Sequence, residues 1–185
     1  VFDITQWSLD NWGDDVVANR NGGNIFYFSS DASTTPIRAT SITTSPISVN
    51  SIIVSPNDRH LIALGSNEFA ADATVSGTFN PMLVRWSDQD DRSNWVPSVS
   101  STAGEVVLTD GTKIVGATRS KSAISIWTDN AMWVMTFAGP PFTFKFTPAG
   151  TNCGLMAQHG VIDYNGVPYW MGYDNFYKFD GQVRT

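Results

Sequence analysis

The sequence predicts an all-β protein: a β-propeller, partial or with blades missing from this chain, made of antiparallel blades of three to four strands. Three observations predict it. Helical periodicity is nearly absent, because Gly, Pro or a polar turn cluster interrupts almost every short window and no window carries apolar residues at i, i+3, i+4, i+7. Short β-branched and aromatic runs recur throughout, bounded by Asn, Asp, Gly and Ser. Four segments also share one plan of apolar strand, polar turn, apolar strand, polar turn and third strand.

The first segment runs from Asp15-Val-Val-Ala18 through the turn Asn19–Gly23 to Ile25-Phe-Tyr-Phe28, with a weak third strand at Ile37–Thr40. The second runs from Ser51–Val54 through Ser55-Pro-Asn-Asp58 to His60–Leu64 and Gly65-Ser-Asn67. After a polar insertion it reaches Met82–Trp86. The third is the clearest: Lys113–Ala117, a turn at Arg119–Lys121, Ala123–Trp127, a turn at Thr128–Asn130, and Met132–Phe137. The fourth follows as Gly160–Tyr164, Asn165-Gly166, Val167–Met171, Gly172–Asn175 and Phe176–Phe179. Trp127 and Trp170 stand 43 positions apart, and each precedes an Asp-Asn turn leading into an aromatic strand. Asn-Gly and Asp-Asn tolerate the positive φ that tight hairpins require. Repetition at this length with three or four antiparallel strands is the pattern of a propeller blade; a stack of meanders in a β-sandwich is the structural rival, which the period disfavours.

These segments give one propeller-like domain over residues 1–185, with approximate blades at 13–46, 49–97, 113–150 and 160–181. The chain begins at Val1 rather than Met and stops at Thr185 after a strand-like segment, which predicts a piece of a longer polypeptide. Ser29–Pro46, Glu68–Pro81 and Ser98–Thr112 are polar connectors expected as surface loops.

Composition narrows function. Hydrophobic residues make up 42% of the chain and charged residues only 15%, which predicts a packed domain and excludes disorder. Seven Trp and few charges suit a protein that buries further surface against neighbours. The net charge is −6 and the 11 Lys and Arg are scattered, so the basic footprint of a specific nucleic-acid binder is absent, although genomic DNA passing nearby is compatible. No apolar run is long enough for a membrane-spanning helix, and no signal peptide is visible.

Residues with chemical potential are few. Cys153 is the sole cysteine, which excludes an internal disulfide and predicts a buried thiol. His60 and His159 lack metal-ligand spacing and are expected as surface or half-buried histidines. Ser87-Asp-Gln-Asp-Asp91 is the densest acidic run and is expected to be a hydrogen-bonding turn between Trp86 and Trp95 rather than a calcium loop. Asp88–Trp95 places Asp90 and Trp95 as the Asp box of sialidase propellers would, but lacks its Ser and Gly. Glu68 and Glu105 are the only glutamates, and Arg85, Arg92 and Arg119 form no cluster in sequence, so a propeller glycosidase is disfavoured. Nucleophile-elbow, phosphate-loop and dinucleotide motifs are missing, and Gly139-Pro-Pro141 reads as a rigid corner. The sequence therefore predicts no enzyme, with no catalytic, cofactor-binding or metal-binding residue.

Three stretches carry a resemblance: Val84–Pro97 (VRWSDQDDRSNWVP), Ala138–Phe144 running to Gly150–Gly154, and Tyr169–Gly181 (YWMGYDNFYKFDG). With the opening Gln6-Trp-Ser-Leu-Asp-Asn-Trp-Gly13, they resemble virion structural proteins of tailed bacteriophages, a family widespread in short-tailed phages. The resemblance covers essentially the whole chain and is strongest from Val84 onward. It implies a tail nozzle or hub containing a β-propeller, assembled as a sixfold homo-oligomeric ring around the DNA exit conduit in the virion. Adaptor and tail fibres or spikes would be its partners, and it carries over no catalytic residue. The family's proteins are much longer than this chain. The competing expectation is a propeller of a tail fibre or receptor-binding protein that reads host glycans through exposed Trp and Tyr, Trp95 among them.

Overall fold

A computed structural model describes residues 5–31, 38–70 and 77–185. Every regular element among them is a strand, and the strands form four four-stranded antiparallel sheets. The first contains β1 (Trp7–Trp12), β2 (Asp15–Arg20), β3 (Ile25–Phe28) and β4 (Thr40–Ser41). The second contains β5 (Val49–Val54), β6 (Leu61–Asn67), β7 (Phe79–Trp86) and β8 (Gly104–Val107). The third is β9 (Ile114–Arg119), β10 (Ala123–Thr128), β11 (Met132–Phe137) and β12 (Phe144–Gly150). The fourth is β13 (Val161–Tyr164), β14 (Val167–Met171), β15 (Phe176–Phe179) and β16 (Val183–Arg184). Within each sheet the strands lie in chain order, the up-and-down meander of a propeller blade. None closes on itself among the described residues. The all-β, blade-built architecture expected from the repeat is what the protein adopts.

The hairpin chemistry follows the sequence. Asn165 and Gly166 adopt φ of 54° and 81°, so the β13–β14 turn has both central residues in the left-handed region, as a two-residue hairpin needs. The turns after the paired tryptophans close alike: Thr128 N–H donates to Ala131 O and Gly172 N–H to Asn175 O, each at 2.9 Å. The Asp-Asn pair occupies the middle of the first turn and the end of the second, so the repeat conserves the turn rather than its register.

Each blade has one strand more than its clearest sequence signal. Gly104–Val107 lies inside the connector expected as a loop; its Gly104 sits so close under the Trp86 ring that an added Cβ would come within 2.6 Å of it. In the weak third strand of blade 1, Ile37 lies outside the described residues, and Thr40–Ser41 is the paired portion. The Gly65-Ser66-Asn67 turn is instead the end of β6, crossed by an irregularity in its pairing with β7.

The chain divides into two compact units: Val1–Val54 with Arg59–Val106, and Ser55–Asp58 with Val107–Thr185. The core of the first lies between blades 1 and 2 and contains Trp12, Val17, Ile25, Ile52, Leu61 and Trp95. At its margin β1 inverts the usual alternation. Trp7 and Leu9 are exposed, whereas Ser8 and Asp10 are buried. The reason is the free edge of β5. Ile52 N–H donates to Ser8 Oγ at 3.0 Å and Val54 N–H to Asp10 Oδ2 at 2.7 Å, so side chains of blade 1 satisfy edge amides of blade 2. In the second unit, Trp127 and Trp170 pack at 5.2 Å between ring centroids in a core with Met132, Cys153 and Leu155.

Candidate functional site

The residues with chemical potential gather in the acidic loop after β7 and on the surface of blade 4. The loop is organised around Thr102. Asp88 Oδ1 accepts from Thr102 N–H at 2.8 Å, from Thr102 Oγ1–H at 2.6 Å and from Gln89 N–H at 2.9 Å, while Asn94 Nδ2–H donates to Oδ2 at 3.1 Å. Burial works to raise the Asp88 pKa, but these donors outweigh it and hold the carboxyl below its ordinary value. Asp91 Oδ1 accepts from Ser93 N–H, and Asp90 pairs at 3.1 Å with Arg59 on the surface. The acidic run is thus the hydrogen-bonding turn its composition predicts.

His60 lies fully buried at the same knot, its Nε2 3.0 Å from Thr102 Oγ1. The Thr102 hydroxyl proton is directed to the Asp88 carboxylate, so His60 donates to the oxygen through Nε2–H. A histidine that donates in this way is no base for the hydroxyl, and the arrangement locks a loop rather than activating a nucleophile. The expectation of a surface or half-buried His60 is corrected: the imidazole fills the space under Thr102. His159 is exposed and lies in the other unit.

Trp95 is also corrected. It is only 1% exposed, donates its indole N–H to Arg92 O at 2.8 Å, and belongs to the blade 1–blade 2 core, so it offers no platform for a glycan. Arg85 is buried, donates to the carbonyls of Asn67 and Trp95, and lies 3.9 Å from Glu105; burial pushes its pKa down against the opposing pull of Glu105. Arg92 stacks on the Tyr27 ring, 3.5 Å from its centroid. Glu68 accepts from Asn80, and Glu105 from Phe69 N–H. Arg85 and Arg92 thus serve packing. Arg119 ends β9 in the other unit.

In the second unit, Asp129 mirrors Asp88. It accepts from Thr112 N–H at 2.7 Å and from the Thr112 hydroxyl; burial opposes the effect, but the donors hold its carboxyl below the ordinary value. Cys153 is buried, and burial pushes its thiol pKa up. Gly139-Pro140-Pro141 sits in the β11–β12 hairpin, closed by Ala138 N–H to Thr143 O at 3.0 Å. Among the described residues, no group of three or more His, Cys, Asp and Glu is placed to hold a metal ion. No helix among them is long and apolar enough to cross a membrane.

Blade 4 carries what the sequence reading missed. Its register sets Val161, Trp170 and Tyr177 on one face, inside the core. Ile162, Tyr164, Tyr169 and Phe176 lie on the opposite face, exposed by 67%, 67%, 42% and 75%. A cavity of about 420 Å³ opens among Ile162, Tyr169, Met171, Phe176 and His159. The signal was present as apolar and aromatic residues at both parities of these strands, which marks two-sided burial rather than a solvated face. A second, polar cavity of about 140 Å³ is lined by Asp129, Asn130, Asn152, Tyr173, Asp174 and Tyr177.

No family model matches the chain. No curated protein sequence matches it either. Among solved structures it is similar to a functionally unknown protein from Desulfotomaculum acetoxidans, at 11% identity and a TM-score of 0.46, over 99% of this chain and 68% of that one. It is also similar to a mutant of the Synechocystis apocarotenoid oxygenase, at 9% identity and a TM-score of 0.44, over 96% of this chain and 47% of that one.

Proposed function

We propose that the protein is a non-catalytic structural component of a bacteriophage tail, a nozzle or hub that contributes to the wall of the DNA exit conduit in the virion. The sequence resemblance of Val84–Pro97, Ala138–Gly154 and Tyr169–Gly181 to tailed-phage structural proteins carries this reading. The chemistry of the site supports it. The Asp88 and Asp129 carboxylates and the His60 imidazole are engaged by loop donors and acceptors, a use that stiffens a scaffold. A net charge of −6 suits a conduit wall that does not grip DNA. A sixfold homo-oligomeric ring, bordered by adaptor and by fibres or spikes, is the assembly this reading implies. Electron microscopy of the parent virion tests it: density for this chain in a ring below the portal is the expected result, and density confined to a distal fibre overturns it.

A glycan-binding module is the second reading, favoured by the polar cavity. Tyr173 offers an exposed ring beside the polar groups of Asp174, Asn130 and Asn152, the pairing that sugar recognition uses. Binding on a glycan array that Tyr173→Ala abolishes is its expected result; an array with no signal dismisses it.

A further inference from the structure

The Asp-Asn turns that follow Trp127 and Trp170 converge in space. Asp129 of the first and Asp174 of the second both line the polar cavity of about 140 Å³, and every residue of that cavity belongs to the second unit. Its frame is fixed by the chain itself. Cys153 N–H donates to Asn130 O at 2.9 Å, and Gly154 packs so closely that an added Cβ would come within 2.2 Å of Asp129 O. That approach sets Asn152 beside the Asp129–Asn130 turn. The Gly172 N–H to Asn175 O bond closes the turn that carries Tyr173 and Asp174.

The hydrogen-bonding groups of the cavity are one-sided. Tyr177 O–H is engaged with Asn152 O at 3.3 Å, and Asn130 Nδ2–H with Asp110 Oδ1 at 2.6 Å. Acceptors are in surplus. Asp129 Oδ2 accepts from the Thr112 hydroxyl, and a carboxylate oxygen has room for a second donor. Donors from Thr112 hold the Asp129 carboxyl below its ordinary value against the opposing effect of burial, so it is anionic at neutral pH. Asp174 adds an exposed carboxylate, and no Lys, Arg or His lines the cavity. The complement of such a surface is a cation with donors and no acceptor, which describes a primary ammonium group.

We propose that the cavity seats the primary ammonium group of an amino sugar. The assignment rests on the glycan-binding reading above and names its ligand class. Size favours a single substituent: the cavity is smaller than the roughly 300 Å³ at which sites for whole drug-sized ligands begin. Tyr173, 62% exposed, supplies a ring whose face attracts a cation and packs against the C–H face of a sugar. Charge supplies the selectivity. An acetamido group has lost the positive charge that two carboxylates attract, and a uronic acid brings a like charge beside Asp129 and Asp174.

NMR titration of the full chain with equal-length oligomers of glucosamine, N-acetylglucosamine and galacturonate tests the assignment. The glucosamine oligomer is expected to bind at least about tenfold more tightly than its acetylated counterpart, to shift the amides of Asn130, Asn152 and Asp174, and to weaken as salt is raised. Asp174→Asn, at an exposed position, is expected to lower that affinity roughly fivefold while the rest of the spectrum stays in place. Equal affinity for the free and acetylated amino sugars overturns the ammonium assignment and leaves the glycan-binding reading standing. Binding of none of the three oligomers overturns both. Nα-acetyl-lysine amide bound as tightly as monomeric glucosamine overturns the choice of a sugar as the carrier. Unchanged affinity in Asp174→Asn overturns the placement in this cavity.

Discussion

Strands β10 and β14 occupy the same place in successive blades, yet they meet different surroundings. β10 (AISIWT) is buried from Ile124 through Thr128, so both of its faces are covered. β14 (VPYWM) buries Pro168 and Trp170 and exposes Tyr169 between them. The two tryptophans share one core, and Trp170 also stacks on Tyr177 at 5.5 Å and donates to Cys153 O at 2.8 Å. The difference lies on the far side of the sheet. There Tyr169, a side chain typical of a covered face, stands 42% exposed.

Substitutions on the two sides of β14 break this comparison most directly. Trp170→Ala removes a buried indole, its ring contacts and its hydrogen bond, and is expected to cost about 3–5 kcal/mol, read as a lower urea midpoint. Next in size, Asp88→Ala strips the acceptor from Thr102, Gln89 and Asn94 and is expected to cost about 1–3 kcal/mol, with limited proteolysis at the Ser98–Ser101 turn as a local readout. The same carboxylate sets a pH dependence. Its folded pKa lies below the unfolded value, so its stabilisation is present above the unfolded pKa near about 4 and is lost as pH falls through the folded value. Urea midpoints should therefore drop on acidification below about pH 4, and Asp88→Asn should flatten that slope. Smallest of all, Tyr169→Ala one residue before Trp170 is expected to change the stability of the isolated chain by less than about 0.5 kcal/mol. An equal loss at Tyr169 and Trp170 would erase the distinction between the faces.

Much of this architecture was legible in the residues. The strands at Ile25–Phe28, Val167–Met171 and Phe176–Phe179 match their apolar runs, and the spacing of Trp127 and Trp170 points to the contact they make. The fourth strands were not legible because tertiary contacts override composition there: β8 is a Ser- and Thr-flanked segment held by the Trp86 ring over Gly104. β1 was hidden for a different reason. From Trp7 to Asp10 its buried residues are polar and its apolar ones exposed, so a reading by hydropathy assigns that stretch the wrong way round. The acidic turn was recognisable from its Asp content. Its partner Thr102 and the burial of His60 and Trp95 depend on a return of the chain that local sequence does not encode.

The Ser8 and Asp10 side chains that serve β5 give the first blade an address. Blades related by an internal repeat look interchangeable, but this one carries acceptors matched to two particular amides of its successor. Deleting it, or recombining another blade into its place, leaves those amides without acceptors and costs about 1–3 kcal/mol for each. A chain with such side-chain keys accepts a duplicated blade at this position only where the copied segment brings the lock and the key together.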